Sequence, residues 1–191
     1  MALSKILKSQ KYSVRLILIP ETIGAIAYIK SNFDHLKKNL IAGFNLSCVG
    51  DRGKFTLINS KESNTYADKV ATRVLKKTKK FKKYFFLKRG SNERQFGCQN
   101  LNLPFVTICR TRFGDFKEYH TSLDDFNLVT KKGIYGGYIV AREAIKYLSN
   151  KIIPITTIKC EPFMTKRNMY DTLSIKKPNY EIKDIMNFIQ Y

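Results

Sequence analysis

The segment Ile17-Leu18-Ile19-Pro20-Glu21-Thr22-Ile23-Gly24 decides how this chain is read. Ahead of it, Tyr12 to Ile19 alternates and then runs apolar, the pattern of a buried strand. Pro20 ends that strand, because its ring removes the N–H that a ladder would use. Behind it, Glu21 to Lys38 has helical spacing, with Ile23, Ile26, Ala27, Ile29 and Phe33 available for one face. A strand that switches into a helix with a carboxylate at the junction is typical of an open α/β sheet, where chemistry gathers at the carboxyl ends of strands.

Working outward, Ile41 to Val49 reads as a second strand, closed by Gly50-Asp51-Arg52-Gly53, whose glycines permit a tight turn. Phe55 to Ile58 is a short extended piece, and Asn64-Thr65-Tyr66-Ala67-Asp68 opens a helix to about Lys77. Further strands are expected at Tyr84 to Leu87 and Leu103 to Arg110. Gly133 to Leu148 has helical spacing, and Ile152 to Lys159 looks extended. Interleaved strands and helices predict a three-layer α/β domain, a mixed sheet flanked by helices, rather than a barrel or bundle. Residues 1–160 are expected to form this domain in incomplete form. Residues 161–191 form a polar connecting tail with an amphipathic turn at Tyr180 to Ile189. Both ends of the chain read as cuts.

The chain's 191 residues, with 13 Phe and 11 Tyr, can bury a core and argue against disorder. No apolar run is long enough to span a bilayer and no secretory signal is evident, so a cytoplasmic protein without a membrane partner is expected. Cys48, Cys98, Cys109 and Cys160 lie far apart without Cys-x-x-Cys spacing. They suggest neither a zinc knuckle nor a redox pair and are read as buried reduced thiols. The formal net charge of +20 would attract polyanions. Its lysines are scattered, however, and the dense run from Lys76 to Lys83 suits a solvated connector. No recognition motif accompanies the charge, so nucleic acid is not the expected partner.

One of only two histidines lies in Glu118-Tyr119-His120-Thr121-Ser122-Leu123-Asp124-Asp125, beside hydroxyls and carboxylates. Such a histidine is a candidate metal ligand or proton carrier, or a solvated loop residue. His35 falls on the polar side of the first helix and needs no functional reading. Ser47, Ser91 and Ser122 sit in no recognised nucleophile motif.

Ser91-Asn92-Glu93-Arg94-Gln95-Phe96, then Leu103-Pro104, then His120-Thr121-Ser122-Leu123-Asp124, resemble in order and spacing the zinc aminopeptidase superfamily that also contains the glutaminyl cyclases. There the corresponding pattern is Ser-Asp-His-x-x-Phe, a Gly-x-Pro strand, and His-Thr-x-x-Asp. More closely, the chain resembles a bacterial aminopeptidase-like family associated with polysaccharide-biosynthesis genes. Members carry a similar Pro-Glu-Thr-Ile-Gly segment, a Gly-Ser-Asp-Glu-Arg-Gln block, and a connection like Glu161-Pro162 to Tyr170 that leads toward a winged-helix domain. The resemblance runs from about Arg15 to Tyr191.

It implies that Glu21 is the general base for hydrolysis of an amide bond in a peptide-like or aminoacyl substrate, and that His120 is a zinc ligand. A carboxylate beside zinc can relay a proton, and neutral imidazole is a preferred donor. Asp124 or Glu118 is available to orient the His120 ring. Glu93 and Arg94 are candidates for a pocket wall, where an arginine can hold a substrate carboxylate by a bidentate contact, with an internal ion pair as the alternative for both. Asn92, where the family has aspartate, either shapes that pocket or, with Glu93, shapes the loop through local hydrogen bonds.

The chain departs from the two-metal pattern at two carboxylates: Thr22 stands where a second glutamate follows the base, and Asn45-Leu46 is followed by Ser47 rather than aspartate. One zinc is the expectation for full-length relatives, held by a His and an Asp from upstream together with the later histidine. Met1 to Lys11 contain no His, Asp, Glu or Cys. One imidazole does not hold zinc against water, so the isolated chain is expected to be inactive and without zinc, unless an upstream polypeptide completes the site. The competing reading is a basic binding module for nucleic acid, an anionic polysaccharide or a partner protein.

Overall fold

The chain divides into the units Met1–Asn150 and Lys151–Tyr191. The computed structural model describes residues 12–78, 80–150, 163 and 166. The expectations for Ile152 to Lys159, the tail and Cys160 lie outside them.

Four strands form one mixed sheet in the order β1-β4-β2-β3. β1 (Gly43–Leu46) runs parallel to β4 (Phe105–Cys109), β2 (Phe55–Ile58) antiparallel to β4, and β3 (Phe81–Tyr84) parallel to β2. The helices are α1 (Ile23–Asn39), α2 (Tyr66–Leu75), a short α3 (Glu93–Phe96) and α4 (Lys131–Asn150), with a 3-10 turn at Phe86–Lys88.

Side chains alternate across a strand, and that alternation separates two layers of packing. Val106 and Ile108 of β4, with Phe55 and Leu57 of β2, join Val70, Ala71 and Val74 of α2 and Val140 and Ala144 of α4 in the larger core. Phe105 turns to the other face and joins Ala25 and Leu36 of α1 and Phe96 of α3 in a second cluster. There the Phe96 and Phe105 rings stack 4.0 Å apart. The register sets Gly43 opposite Phe105, and a Cβ on Gly43 would strike that ring. The result is an α/β sandwich with a mixed sheet between helices.

The opening of α2 shows how sequence becomes local structure. Thr65 accepts from the Asp68 N–H at 3.4 Å, and the Asp68 carboxylate takes the Thr65 N–H at 3.0 Å, closing a reciprocal cap. The same carboxylate accepts the Ser60 N–H at 3.0 Å, so the cap also ties α2 to the end of β2.

Several expectations need correction. Ser13 to Pro20 forms no strand: the described sheet offers its backbone no ladder partner, and Leu18 is left 87% exposed. The α1 face differs as well. Ile23 and Ile26 are exposed, whereas Ala25, Tyr28, Ile29 and Leu36 point inward, so the period holds but its phase is rotated. The strand placed at Tyr84 to Leu87 begins earlier, within the lysine run. Lys82 and Lys83 are exposed on this outermost strand, where charge discourages pairing with another sheet. Cys109 is buried, but Cys48 is only half-buried and Cys98 is exposed. No helix among the described residues is long and apolar enough to cross a membrane.

The α4 contact rests on glycine. A Cβ at Gly133 would run into the Gly50 carbonyl, and one at Gly137 would meet Val49. Alanine stabilises a helix interior by about 1 kcal/mol relative to glycine. Gly133→Ala is nevertheless expected to destabilise the protein by about 1–3 kcal/mol in urea unfolding, because the clash is with backbone. An unchanged or raised midpoint would show that α4 does not sit this close.

Candidate functional site

Because β1 and β4 are parallel, their carboxyl ends lie at one edge of the sheet, and the antiparallel β2 begins there. Ser47 and Cys48 follow β1, the loop carrying Tyr119, His120 and Asp124 follows β4, and the Asp51 turn enters β2. Glu21 is exposed in the turn before α1. Burial pushes the Tyr119 phenol up, and the Glu21 carboxylate adds to that rise. Burial also raises the Cys48 thiol, opposed by a hydrogen bond from Ser47 and reinforced by Asp124, Glu21 and Asp51. The Tyr119 and His120 rings stack 4.0 Å apart, so Glu21 and the histidine loop share one neighbourhood.

His120 adopts φ 58°, a left-handed conformation rare for a side-chain-bearing residue. Its ring makes no hydrogen bond with Asp124 or Glu118. Instead the Glu118 carbonyl takes the Thr121 N–H at 3.1 Å and hydroxyl at 2.8 Å. The expected orientation of the ring by either carboxylate is therefore replaced by stacking on Tyr119.

Thr22, next to Glu21, also has positive φ, 63°. Its N–H donates to Asn92 Oδ1 at 2.8 Å, and its hydroxyl accepts from Arg94 at 2.8 Å. These two long-range bonds hold an uncommon backbone geometry in place. They couple the Glu21 turn to the Ser91–Phe96 block, two segments that the sequence presents far apart.

Glu93 is fully buried, which removes it from any pocket wall. One carboxyl oxygen accepts the N–H groups of Gly90 at 2.7 Å and Ser91 at 3.1 Å, and the other accepts the Thr107 hydroxyl at 2.6 Å. Asn45 donates to Ser91 Oγ at 3.0 Å and Thr107 Oγ1 at 3.1 Å. Glu93 thus shapes the loop and ties it to β4. Arg94 is exposed and makes no ion pair with it.

Asp51 is buried at the same sheet edge, where it accepts the Gly53 and Thr111 N–H groups and the Thr111 hydroxyl. Arg110 lies over the Phe55 ring at 4.3 Å and donates to the Gly53 carbonyl at 2.8 Å; burial lowers its pKa and Asp51 opposes that shift. Thr107 and Cys48 belong to no sequence motif and are brought to the site by strand pairing, whereas Tyr119 is legible only as the neighbour of His120 in the Glu118 to Asp125 stretch. The Gly-Asp-Arg-Gly turn was the one available signal for Asp51.

Among the described residues no group of three or more His, Cys, Asp or Glu is arranged to hold a metal. A structural or catalytic zinc takes three or four protein donors, so the described donors do not by themselves fit one.

The fold is that of a peptidase-like α/β domain, as the relatives below show. The chain belongs to the family described as domain of unknown function DUF4910, which it matches over residues 1–151. A candidate polysaccharide biosynthesis protein with aminopeptidase-like domain from Clostridium acetobutylicum is 36% identical over 173 residues, covering 88% of this chain and 38% of that protein. The crystal structure of a candidate peptidase from the same organism superposes with a TM-score of 0.74 at 32% identity, covering 100% of this chain and 47% of that one. Legionella LapA shares the fold at 14% identity, with a TM-score of 0.54 over 68% of this chain and 37% of that one. The chain thus spans less than half the length of the first two relatives.

Two outcomes are expected. Glu93→Ala strands two backbone N–H groups and a hydroxyl in the interior and is expected to cost about 2–4 kcal/mol in urea unfolding, whereas Glu93→Gln, which keeps the carbonyl acceptor, costs less than half of that. Equal losses would show that the polar network does not carry the effect. The thiols are expected to separate by environment: alkylation at pH 8 followed by peptide mapping labels Cys98 before Cys48, and Cys109 only on unfolding. Burial pushes the Cys109 thiol up from its ordinary 9.0 to about 12. Its contribution to stability is therefore complete below pH 9 and lost as pH rises toward 12.

Proposed function

We propose that this chain is a peptidase-like hydrolase domain whose ancestral reaction is cleavage of an amide bond in a small peptide-like or aminoacyl substrate. Glu21 is the proton acceptor in that reaction, and His120 is a ligand-type imidazole at the same sheet edge. The observation that carries this reading is the tie of the Glu21 turn, through the Thr22 N–H and Asn92, to the Ser91–Phe96 block that Asn45 and Glu93 anchor on β1 and β4, the two strands that lead into the histidine loop's end of the sheet. The aminopeptidase-like domain named in the Clostridium relative supports it. An exposed carboxylate in the turn that opens α1 is accessible to water and can take a proton from it.

The zinc implied by the resemblance requires donors beyond those described, and the 191-residue chain on its own is proposed to be inactive. A polypeptide carrying the expected upstream His and Asp segments would complete the set. Zinc content by mass spectrometry is expected to fall well below one ion per chain, with no release of amino acid from aminoacyl amides or dipeptides. Mixing with such a polypeptide is expected to raise zinc uptake and start turnover. Glu21→Gln then lowers turnover by about 10²- to 10⁴-fold while leaving the zinc content unchanged. Stoichiometric zinc with turnover in the chain alone would overturn the proposed inactivity. Full turnover of the completed Glu21→Gln protein would remove Glu21 from its role.

A further inference from the structure

A second feature borders the Glu21 turn only at Arg94, which lines it and donates to Thr22. An open groove of about 570 Å³ lies between the turns after β2 and β3 and the segment that follows α3. Since β2 and β3 run against β4, those turns sit at the opposite end of the sheet from His120. Neither Glu21 nor His120 lines the groove.

Its walls combine two chemistries. Lys61, Arg89 and Arg94 contribute three cations, and no lining residue is acidic. None of the three forms an ion pair among the described residues. The Arg89 guanidinium is held over the Phe86 ring at 4.8 Å, which leaves its N–H fork free, and Arg94 uses a single donor on Thr22 Oγ1 at 2.8 Å. Beside these charges Phe85 is 74% and Leu87 83% exposed, adjacent apolar side chains left against water. Surface cations are usually scattered among carboxylates; three without one, next to uncovered apolar side chains, complement a ligand that carries both characters.

We propose that this groove binds a small molecule bearing an oxyanion, carboxylate or phosphate, next to an apolar or aromatic group. The guanidinium forks of Arg89 and Arg94 receive the oxyanion in bidentate fashion, Lys61 adds a point charge, and the apolar body covers Phe85 and Leu87. The binding needs neither metal nor turnover, so it stands or falls separately from the hydrolase reading.

The full chain would be titrated by calorimetry with N-acetylphenylalanine, phenyl phosphate and neutral N-acetylphenylalaninamide. The exposed Cys98 in the groove wall supplies a local readout. At least one of the two anions is expected to bind about tenfold or more tightly than the amide, weaken with added salt, and slow alkylation of Cys98 but not of Cys48. Preference for one anion identifies the headgroup. Arg89→Gln and Lys61→Gln alter exposed side chains and are expected to weaken binding about three- to tenfold each. Phe85→Ala is expected to weaken both anions alike. Binding of the amide as tight as that of the anions, no binding of either anion at about 10 mM, or binding without protection of Cys98 would overturn the assignment.

Discussion

The fold of the site depends on a carboxyl group that never meets water. Glu93 is wholly enclosed, yet each of its oxygens has donors: two backbone N–H groups at the start of its own loop and the hydroxyl of Thr107 at the centre of the sheet. Enclosing such a group without partners would cost several kcal/mol. The geometry is therefore over-determined, and the chain can carry a polar cluster through the middle of its second core. Asn45 extends the same network to β1, so that both parallel strands and the Gly90–Phe96 crossing are held in one register. Asn92 and Arg94, flanking Glu93, then hold Thr22 in its positive-φ conformation. The Glu21 turn is in this sense suspended from a buried carboxyl group.

The two sheet ends have different characters. At the carboxyl ends of β1 and β4, acidic side chains gather: Glu21, Asp51 and Asp124 all raise the Cys48 thiol. At the other end, the groove walls carry cations alone.

Much of the architecture is legible in the order of residues alone. Asn64 to Asp68 mark the opening of α2, and the cap that closes there is local chemistry, complete within four residues. β2 and β4 were readable from short apolar runs, and the small residues of α4 from their spacing. The failures have a common origin. Tyr12 to Ile19 has the composition of a strand, but a strand exists only with a ladder partner, and among the described residues it has none. The phase of α1 and the start of β3 were misplaced because burial is set by what packs against an element. The amphipathic pattern of α1 is compatible with either rotation until Phe96 and Leu103 arrive against it.

The sequence by itself determined most of the alternation of strands and helices, the opening of α2, the place of Glu21 just before α1 and of His120 in a polar loop, and the family resemblance, because these are properties of residues near one another along the chain. Only the tertiary structure decided that Glu93 is an internal tie rather than a pocket wall, that His120 leans on Tyr119 rather than on a carboxylate, and that unpaired cations collect beside Phe85. Those outcomes depend on donors and charges contributed from distant segments, and hydrogen bonds and Coulomb forces act over distance in space, which order along the chain does not encode.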